Sequence, residues 1–188
     1  MADRRRREGF AEKRERLGAV DEPSVVIDAA LRFLEPRQRS IGEVRRRLSR
    51  VGYREDLVTA AIERLIGLGM LDDEAFARAW IESRDRVRPR GSRALMSELA
   101  KKGIDRQTAD QSLSEREEDH PGADADAAQK LLVRNARSLA RVVDPRARRQ
   151  RAYALLARNG FDPEIAASAS RTLETTDAAA DDEGLEED

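Results

Sequence analysis

The sequence feature that most constrains the fold is a short pattern that occurs three times along the chain. Each copy has a leucine, three further residues, a glycine and then a large apolar residue, at Leu48 to Tyr53, Leu99 to Ile104 and Leu156 to Phe161. Glycine is common directly after a helix because it adopts the left-handed backbone conformation at little cost. The glycines are 51 and 57 residues apart, which leaves room for about three helices in each interval. We therefore predict tandem three-helix repeats, each packing mainly on its neighbours.

Helix-start signals lie between these glycines. Ser40 and Glu43 form an S-x-x-E capping box, and Asp72 is expected to be an N-cap with Leu71 and Phe76 as a hydrophobic staple. Apolar residues recur at three- and four-residue spacing, and no segment alternates convincingly with period two. Two later helices should begin with an aspartate N-cap followed by proline, at Asp144-Pro145 and Asp162-Pro163. We predict an all-α fold, an elongated, curved array of tandem three-helix repeats with about nine helices in total.

The repeat and the composition divide the chain into five segments. We expect a basic disordered arm over residues 1–22, which contains the run Arg4 to Arg7, and an acidic disordered tail over residues 175–188. Between them we predict three-helix repeats at residues 23–71, 72–118 and 119–174. Within these repeats, residues 115–124 read as an acidic linker with a Pro-Gly turn.

Composition limits the class of protein. Charged residues make up 39% of the 188 residues and aromatic residues only 4%, so helix-on-helix cores of aliphatic side chains are expected. No apolar run approaches the roughly 20 residues that cross a membrane, and no signal peptide is evident. The chain has no cysteine, which excludes disulfides and thiolate metal sites. We expect a cytoplasmic monomer without membrane contact.

Catalysis is disfavoured by the residues that are present. His120 is the only histidine and lies in the acidic segment before Pro121, so no histidine triad or histidine metal cluster can form. Asp72, Asp73 and Glu74 resemble a carboxylate cluster, but their position at a helix start explains them. No phosphate-binding glycine loop is present. We predict that the protein is not an enzyme and needs no cofactor or metal.

Basic residues form two dense groups on predicted helices. A mosaic of basic and acidic blocks surrounds them and leaves a net charge of −1. Guanidinium groups at this density pair with phosphates or with carboxylates of a partner, but the same pattern occurs on ordinary solvated helix faces. Both interpretations stay open at this point. The first group contains Arg84, Arg86, Arg88, Arg90, Arg93, Lys101 and Lys102, and the second contains Arg141, Arg146, Arg148, Arg149 and Arg151.

Several motifs together resemble the RecX family of recombination regulators. They are S-x-G-E-V-R-R-R-L from Ser40, G-M-L-D-D-E-A-F-A from Gly69, R-P-R-G-S-R from Arg88, K-K-G-I from Lys101 and N-G-F from Asn159. The resemblance runs from about Ala29 to Leu173. The chain departs from the family at Ser92, where proline is usual, and at Asn159, where arginine is usual. The second departure puts in doubt any family role for a basic residue at that position.

The resemblance implies a fold and a partner. RecX proteins are curved arrays of three-helix repeats that bind in the groove of the RecA–DNA filament. They restrain the RecA recombinase, its ATP hydrolysis and its co-protease activity in DNA repair and the SOS response. By this resemblance we expect a RecA filament partner, with single- or double-stranded DNA as a further contact. The expected contact residues are Arg84, Arg86, Arg88, Arg90, Arg93, Lys101 and Lys102, with Arg148, Arg149 and Arg151 reaching the next RecA protomer.

Two other classes of function stay open. A stand-alone helical DNA-binding protein would use the same basic surfaces without RecA, and its affinity would fall steeply with salt. A generic helical scaffold would bind neither RecA nor DNA. The sequence also leaves open whether RecA is inhibited or supported.

Overall fold

The computed structural model describes residues 9–182, apart from the side chains of Phe10 and of residues 173–182. All secondary structure in this range is α-helical, which confirms the predicted fold class. The run Arg4 to Arg7 and the last six residues of the acidic tail lie outside the described residues. The helices are α1 (Phe10–Gly18), α2 (Pro23–Leu34), α3 (Ile41–Val51), α4 (Glu55–Gly67), α5 (Asp73–Val87), α6 (Ser92–Lys102), α7 (Arg106–Asp119), α8 (Ala123–Leu139), α9 (Pro145–Arg158) and α10 (Pro163–Asp182).

The chain forms two compact units. Unit 1 consists of Met1–Phe76 with Lys102–Ile104, and unit 2 consists of Ala77–Lys101 with Asp105–Asp188. In unit 1, helices α2, α3 and α4 pack on one another around an aliphatic core. Burial of these side chains is the main source of stability in such a thin core. Its most buried members are Val26, Ala30, Val44, Leu48, Val58, Ala61, Ile62 and Leu65.

Unit 2 has its own core, where α8, α9 and α10 pack on one another. Alanines and leucines make up most of this core. Ile81 of α5, and Leu95 and Leu99 of α6, are also buried. The central members of the α8–α10 core are Ala128, Leu132, Ala152, Leu156, Phe161 and Ala166.

The predicted starts and ends of the helices are present. Ser40 Oγ accepts a hydrogen bond from the Glu43 amide at 3.1 Å, and Asp72 Oδ1 accepts one from the Ala75 amide at 2.9 Å. The Asp144 carboxylate likewise caps α9. The three repeat glycines all have positive φ, at 115° for Gly52, 91° for Gly103 and 81° for Gly160. Only glycine takes this conformation readily, so the repeated pattern does mark helix ends.

Helix α1 lies in the segment for which the sequence predicts a disordered arm. Its anchor is Leu17, which is only 6% exposed, and α1 packs against α3. The backbone of Arg14 approaches Gly52, where a Cβ would lie 2.8 Å from the Arg14 carbonyl oxygen. This helix is therefore ordered by a tertiary contact that apolar periodicity does not reveal. At the other end of the chain, α10 continues to Asp182, into the predicted acidic tail.

Two aspartates cap helices that are distant in the sequence. Asp73 Oδ1 accepts a hydrogen bond from the Ile41 amide at 2.8 Å, and Asp124 Oδ2 accepts one from the Ser92 amide at 2.9 Å. Each bond joins residues that are 32 positions apart, and the second pair is displaced by 51 residues from the first. In both pairs the aspartate caps the start of a helix that lies two helices earlier in the chain, α3 for Asp73 and α6 for Asp124.

The segment read as an acidic linker is mostly helical. Helix α7 continues to Asp119 and α8 begins at Ala123. Arg116 holds this region in place, because its guanidinium bonds both Asp85 carboxylate oxygens at 2.8 Å and Asp124 Oδ1 at 2.6 Å. Its side chain is 8% exposed. A cation buried between two carboxylates therefore occupies this position. Separately, none of the helices in the described range is long and apolar enough to cross a bilayer.

Candidate functional site

The predicted basic surface begins on the last turns of α5 and continues through the turn that follows. Pro89 is buried and ends the helix, because it cannot donate a backbone hydrogen bond. Arg86 and Arg88 point outward on either side of this end, and the Arg86 side chain is 70% exposed. Arg86 faces Glu82 at 3.5 Å, a solvated pair that contributes little to stability. Both guanidinium groups can reach a partner.

Two other members of the group are held by Glu98 of α6. Its carboxylate accepts from Arg84 Nε at 2.6 Å and from Trp80 Nε1 at 2.9 Å, and Arg90 Nε lies 3.5 Å away. The Arg84 guanidinium also stacks over the Trp80 ring at 4.2 Å, a cation–π contact. Trp80 is half-buried, so its ring packs against the protein as well as against Arg84. Arg84 and Arg90 therefore serve the packing of α5 on α6 in the free protein.

The turn between α9 and α10 binds the start of α6. Arg90 donates from Nη1 to Asn159 Oδ1, and the Gly91 amide donates to the Asn159 carbonyl at 3.0 Å. Arg93 Nη2 donates to Asp162 Oδ2 at 2.8 Å, while its side chain stays largely exposed. Asn159 is the position at which the resemblance described above leads us to expect arginine. In this chain the side-chain oxygen of Asn159 accepts a hydrogen bond from Arg90, whereas a basic side chain at position 159 would repel Arg90.

The two lysines at the end of α6 differ in their surroundings. Lys101 belongs to unit 2 and is exposed, whereas Lys102 belongs to unit 1. Lys102 Nζ donates to Glu43 Oε1 at 2.8 Å and is mostly buried. Burial raises the pKa of Glu43, but the hydrogen bond and charge of Lys102, together with the Ser40 amide and the charge of Arg37, outweigh it, so the pKa of Glu43 is lowered overall. Lys102 therefore has an internal role.

The second basic group lies on α9. Arg148 donates from Nε to the Val142 carbonyl at 3.1 Å and from Nη2 to the Val143 carbonyl at 3.4 Å, so it closes the turn before the helix. Arg149 and Arg151 are exposed. Tyr153 and Arg171 line the same shallow groove as Arg149. The sequence analysis did not single out these two residues. They come from different helices, and the groove exists only where α9 and α10 pack together.

The structure thus separates the ten predicted residues into two sets. Five make the close internal hydrogen bonds described above, and the other five have exposed side chains that phosphates or carboxylates of a partner can reach. No group of three or more metal-ligating side chains occurs among the described residues. The first five are Arg84, Arg90, Arg93, Lys102 and Arg148, and the other five are Arg86, Arg88, Lys101, Arg149 and Arg151.

Fold and surface together define a class of protein: a helical repeat protein with a cationic surface. Comparison with known proteins makes the class specific. The model of the RecX first three-helix domain matches residues 27–65, and that of the RecX second three-helix domain matches residues 72–113. These matches fall within α2–α4 and within α5–α7 with the residues just before α5.

Relatives and solved structures agree with this assignment. The chain is 33% identical to the regulatory protein RecX of Mycobacterium sp. (strain KMS) over 139 residues, which is 72% of this chain and 74% of that protein. It is 34% identical to the regulatory protein RecX of Mycolicibacterium vanbaalenii, over 72% of this chain and 75% of that protein. The chain belongs to the RecX family of regulatory proteins. The crystal structure of RecX from Lactobacillus salivarius has the same fold, with a TM-score of 0.71 at 22% identity over 82% of this chain and 98% of that one.

Proposed function

We propose that this protein binds the RecA–DNA filament as a monomer and inhibits the recombinase, ATPase and co-protease activities of RecA. It would act in the cytoplasm, in DNA repair and the SOS response. Membership of the RecX family of regulatory proteins is the observation that carries the proposal. We also propose three repeats, at residues 23–71, 72–118 and 119–174, as the units that would follow successive parts of the filament.

The exposed basic residues support a partner that contains both protein and nucleic acid. Arg86, Arg88 and Lys101 lie on α5, α6 and the turn between them, and Arg149 and Arg151 lie on α9. Guanidinium and ammonium groups bind carboxylates and phosphates alike. The overall charge is close to neutral, whereas a plain nucleic-acid binder is usually basic. A filament of protein and DNA satisfies both observations.

The proposal is tested by measuring RecA ATP hydrolysis on single-stranded DNA while this protein is titrated in. We expect inhibition well below one molecule per RecA, because one molecule bound to a filament affects several protomers. Activation at the same ratios would keep the filament as the target and reverse the sign of regulation. No effect at any ratio would refute the proposal.

A stand-alone DNA-binding protein gives a different result in the same assay. ATP hydrolysis would fall only when the DNA itself is covered. Affinity for bare single-stranded DNA would then equal affinity for the filament and would fall steeply with salt. A direct comparison of the two affinities at one salt concentration separates these readings.

A further inference from the structure

An open groove of about 460 Å³ lies in unit 1, where α1, α2 and α3 meet. Its floor is apolar and its rim is basic. Val25 stands on the floor with 40% of its surface exposed, so its side chain is accessible to a ligand. The apolar lining is Leu17, Val25, Ala29, Phe33, Leu48, Val51 and Tyr53, and the basic lining is Lys13, Arg16, Arg32 and Arg47.

The charge of this lining has one sign. Four of the residues that line the groove are cationic and none is acidic. Acidic residues are common elsewhere in this chain, so their absence from the groove sets it apart from the mixed surface around it. Lys13 and Arg32 are exposed at its edge. A ligand must therefore combine negative charge with an apolar side that covers the floor.

The nature of the floor favours a protein segment over a nucleic acid. Single-stranded nucleic acids stack their bases on open aromatic faces. The ring of Phe33 is already approached by the guanidinium groups of Arg39 at 4.2 Å and Arg47 at 5.8 Å. Tyr53 is half-buried against the core. The remaining floor is aliphatic and suits leucine or methionine side chains.

We propose that this groove binds an acidic amphipathic helix of a partner protein. The apolar face of that helix would lie over Val25 and its neighbours, and its carboxylates would pair with Lys13 and Arg32. This inference does not depend on the proposed regulation of RecA. The groove belongs to unit 1, and Arg86 and Arg88 belong to unit 2, so each binding activity can be removed without the other.

The test is a fluorescence anisotropy titration of the full chain with a labelled acidic peptide. The peptide has about three helical turns, with leucines at i, i+3, i+4 and i+7 and glutamates elsewhere. We expect binding that weakens about tenfold when the leucines of the peptide are replaced by serines, because the peptide then loses its apolar contact with the floor of the groove. Binding should also weaken with salt, because exposed ion pairs are screened.

Variants locate the binding. Lys13→Glu with Arg32→Glu should reduce affinity by about tenfold or more, because two attractions become repulsions. Val25→Ser should reduce it without changing the charge. The matched control is Arg50→Glu with Arg64→Glu, which alters two exposed arginines of unit 1 that do not line the groove. Circular dichroism checks that each variant keeps its helices.

Three results would overturn the proposal. They are no binding of the leucine peptide, equal loss of binding in the control variant, and binding that is insensitive to the leucines. A fourth contrary result is that an oligothymidylate of similar length binds with the same dependence on Lys13 and Arg32 while the peptide does not. The groove would then be a nucleic-acid site.

Discussion

Gly91 and Gly160 are in direct backbone contact. A Cβ built on Gly91 would lie 2.3 Å from the Gly160 carbonyl oxygen. The same relationship occurs in unit 1, where a Cβ on Gly42 would lie 2.9 Å from the Gly103 Cα. In both units a glycine near the start of one helix therefore packs on a glycine that lies just after the end of another helix. Each repeat glycine therefore ends a helix and also makes room for its neighbour.

Gly91→Ala should destabilise unit 2 by about 1–3 kcal/mol, because the added methyl group overlaps backbone that cannot move aside easily. Urea unfolding followed by the fluorescence of Trp80, the only tryptophan, reports on unit 2. Gly67→Ala is the control, since nothing lies within 4 Å of its Cβ position at the end of α4. Circular dichroism should show that it is neutral or slightly stabilising. A Gly91→Ala protein as stable as the wild type would mean that the two backbones separate freely.

Local signals made much of the fold predictable. The Ser40–Glu43 capping box, the Asp72 cap and the left-handed Gly52 and Gly103 depend on residues within one helical turn, and each is present as predicted. Such features are decided by backbone groups that need partners at a helix end. They can therefore be read before anything is known about packing.

Features that depend on distant residues were not predictable in the same way. Helix α1 is held by the buried side chain of Leu17 and by the contact between Arg14 and Gly52. The pattern of apolar residues within α1 does not predict either contact. The basic group was read as one surface, but Glu98 and Asn159 bind part of it. The 51-residue spacing of the first two repeat glycines could have revealed one of these features. Asp124 lies 51 residues after Asp73, and the two aspartates cap α6 and α3 in the same way.

Arg116→Met should destabilise unit 2 by about 3–5 kcal/mol, because Asp85 and Asp124 would lose the cation between them. Burial lowers the pKa of Arg116, but its hydrogen bonds to the two aspartates outweigh this, so the pKa is raised and the cation stays charged. Unfolding in urea, followed by Trp80 fluorescence, measures the loss. Arg106→Met on the same helix is the control, since its pair with Asp110 is exposed and should be worth less than about 1 kcal/mol.

Adding Asp85→Leu to Arg116→Met should recover part of the lost stability, because one of the two unpaired charges is removed. Asp124 is kept in this double variant, since it also caps the Ser92 amide. If the double variant were less stable than Arg116→Met alone, the unpaired charge of Asp85 would not be a cause of the loss.

Lys102→Met should make the stability of unit 1 less dependent on pH. The pKa of Glu43 in the folded protein lies below its ordinary value of 4.5. The stability that ionised Glu43 contributes to unit 1 is therefore complete above pH 4.5 and is lost as the pH falls through the folded pKa. Without Lys102, burial still raises the pKa of Glu43, and only the Ser40 amide and the charge of Arg37 oppose it, so the lowering of that pKa becomes smaller. We expect a loss of about 1 kcal/mol at pH 7 that becomes smaller toward pH 3.

Hydrogen exchange of the α3 amides, measured at several pH values, reports on this change within unit 1. Arg64→Met is the control, because Arg64 is exposed on α4. It should follow the pH dependence of the wild type. A loss in Lys102→Met that is equal at pH 7 and pH 3 would exclude Glu43 as the responsible group.

Arg86→Glu with Arg88→Glu should weaken binding to RecA filaments on single-stranded DNA by about tenfold or more, which is about 1.4 kcal/mol. These two residues are chosen because they are exposed, whereas reversing Arg84 or Arg90 would also break the bonds to Glu98. Co-sedimentation with filaments measures the binding, and unchanged Trp80 fluorescence shows that the fold is kept. Arg64→Glu with Lys130→Glu is the matched control, and its affinity should stay within about twofold of the wild type. Equal weakening in both double variants would indicate a general effect of net charge rather than a surface centred on the end of α5.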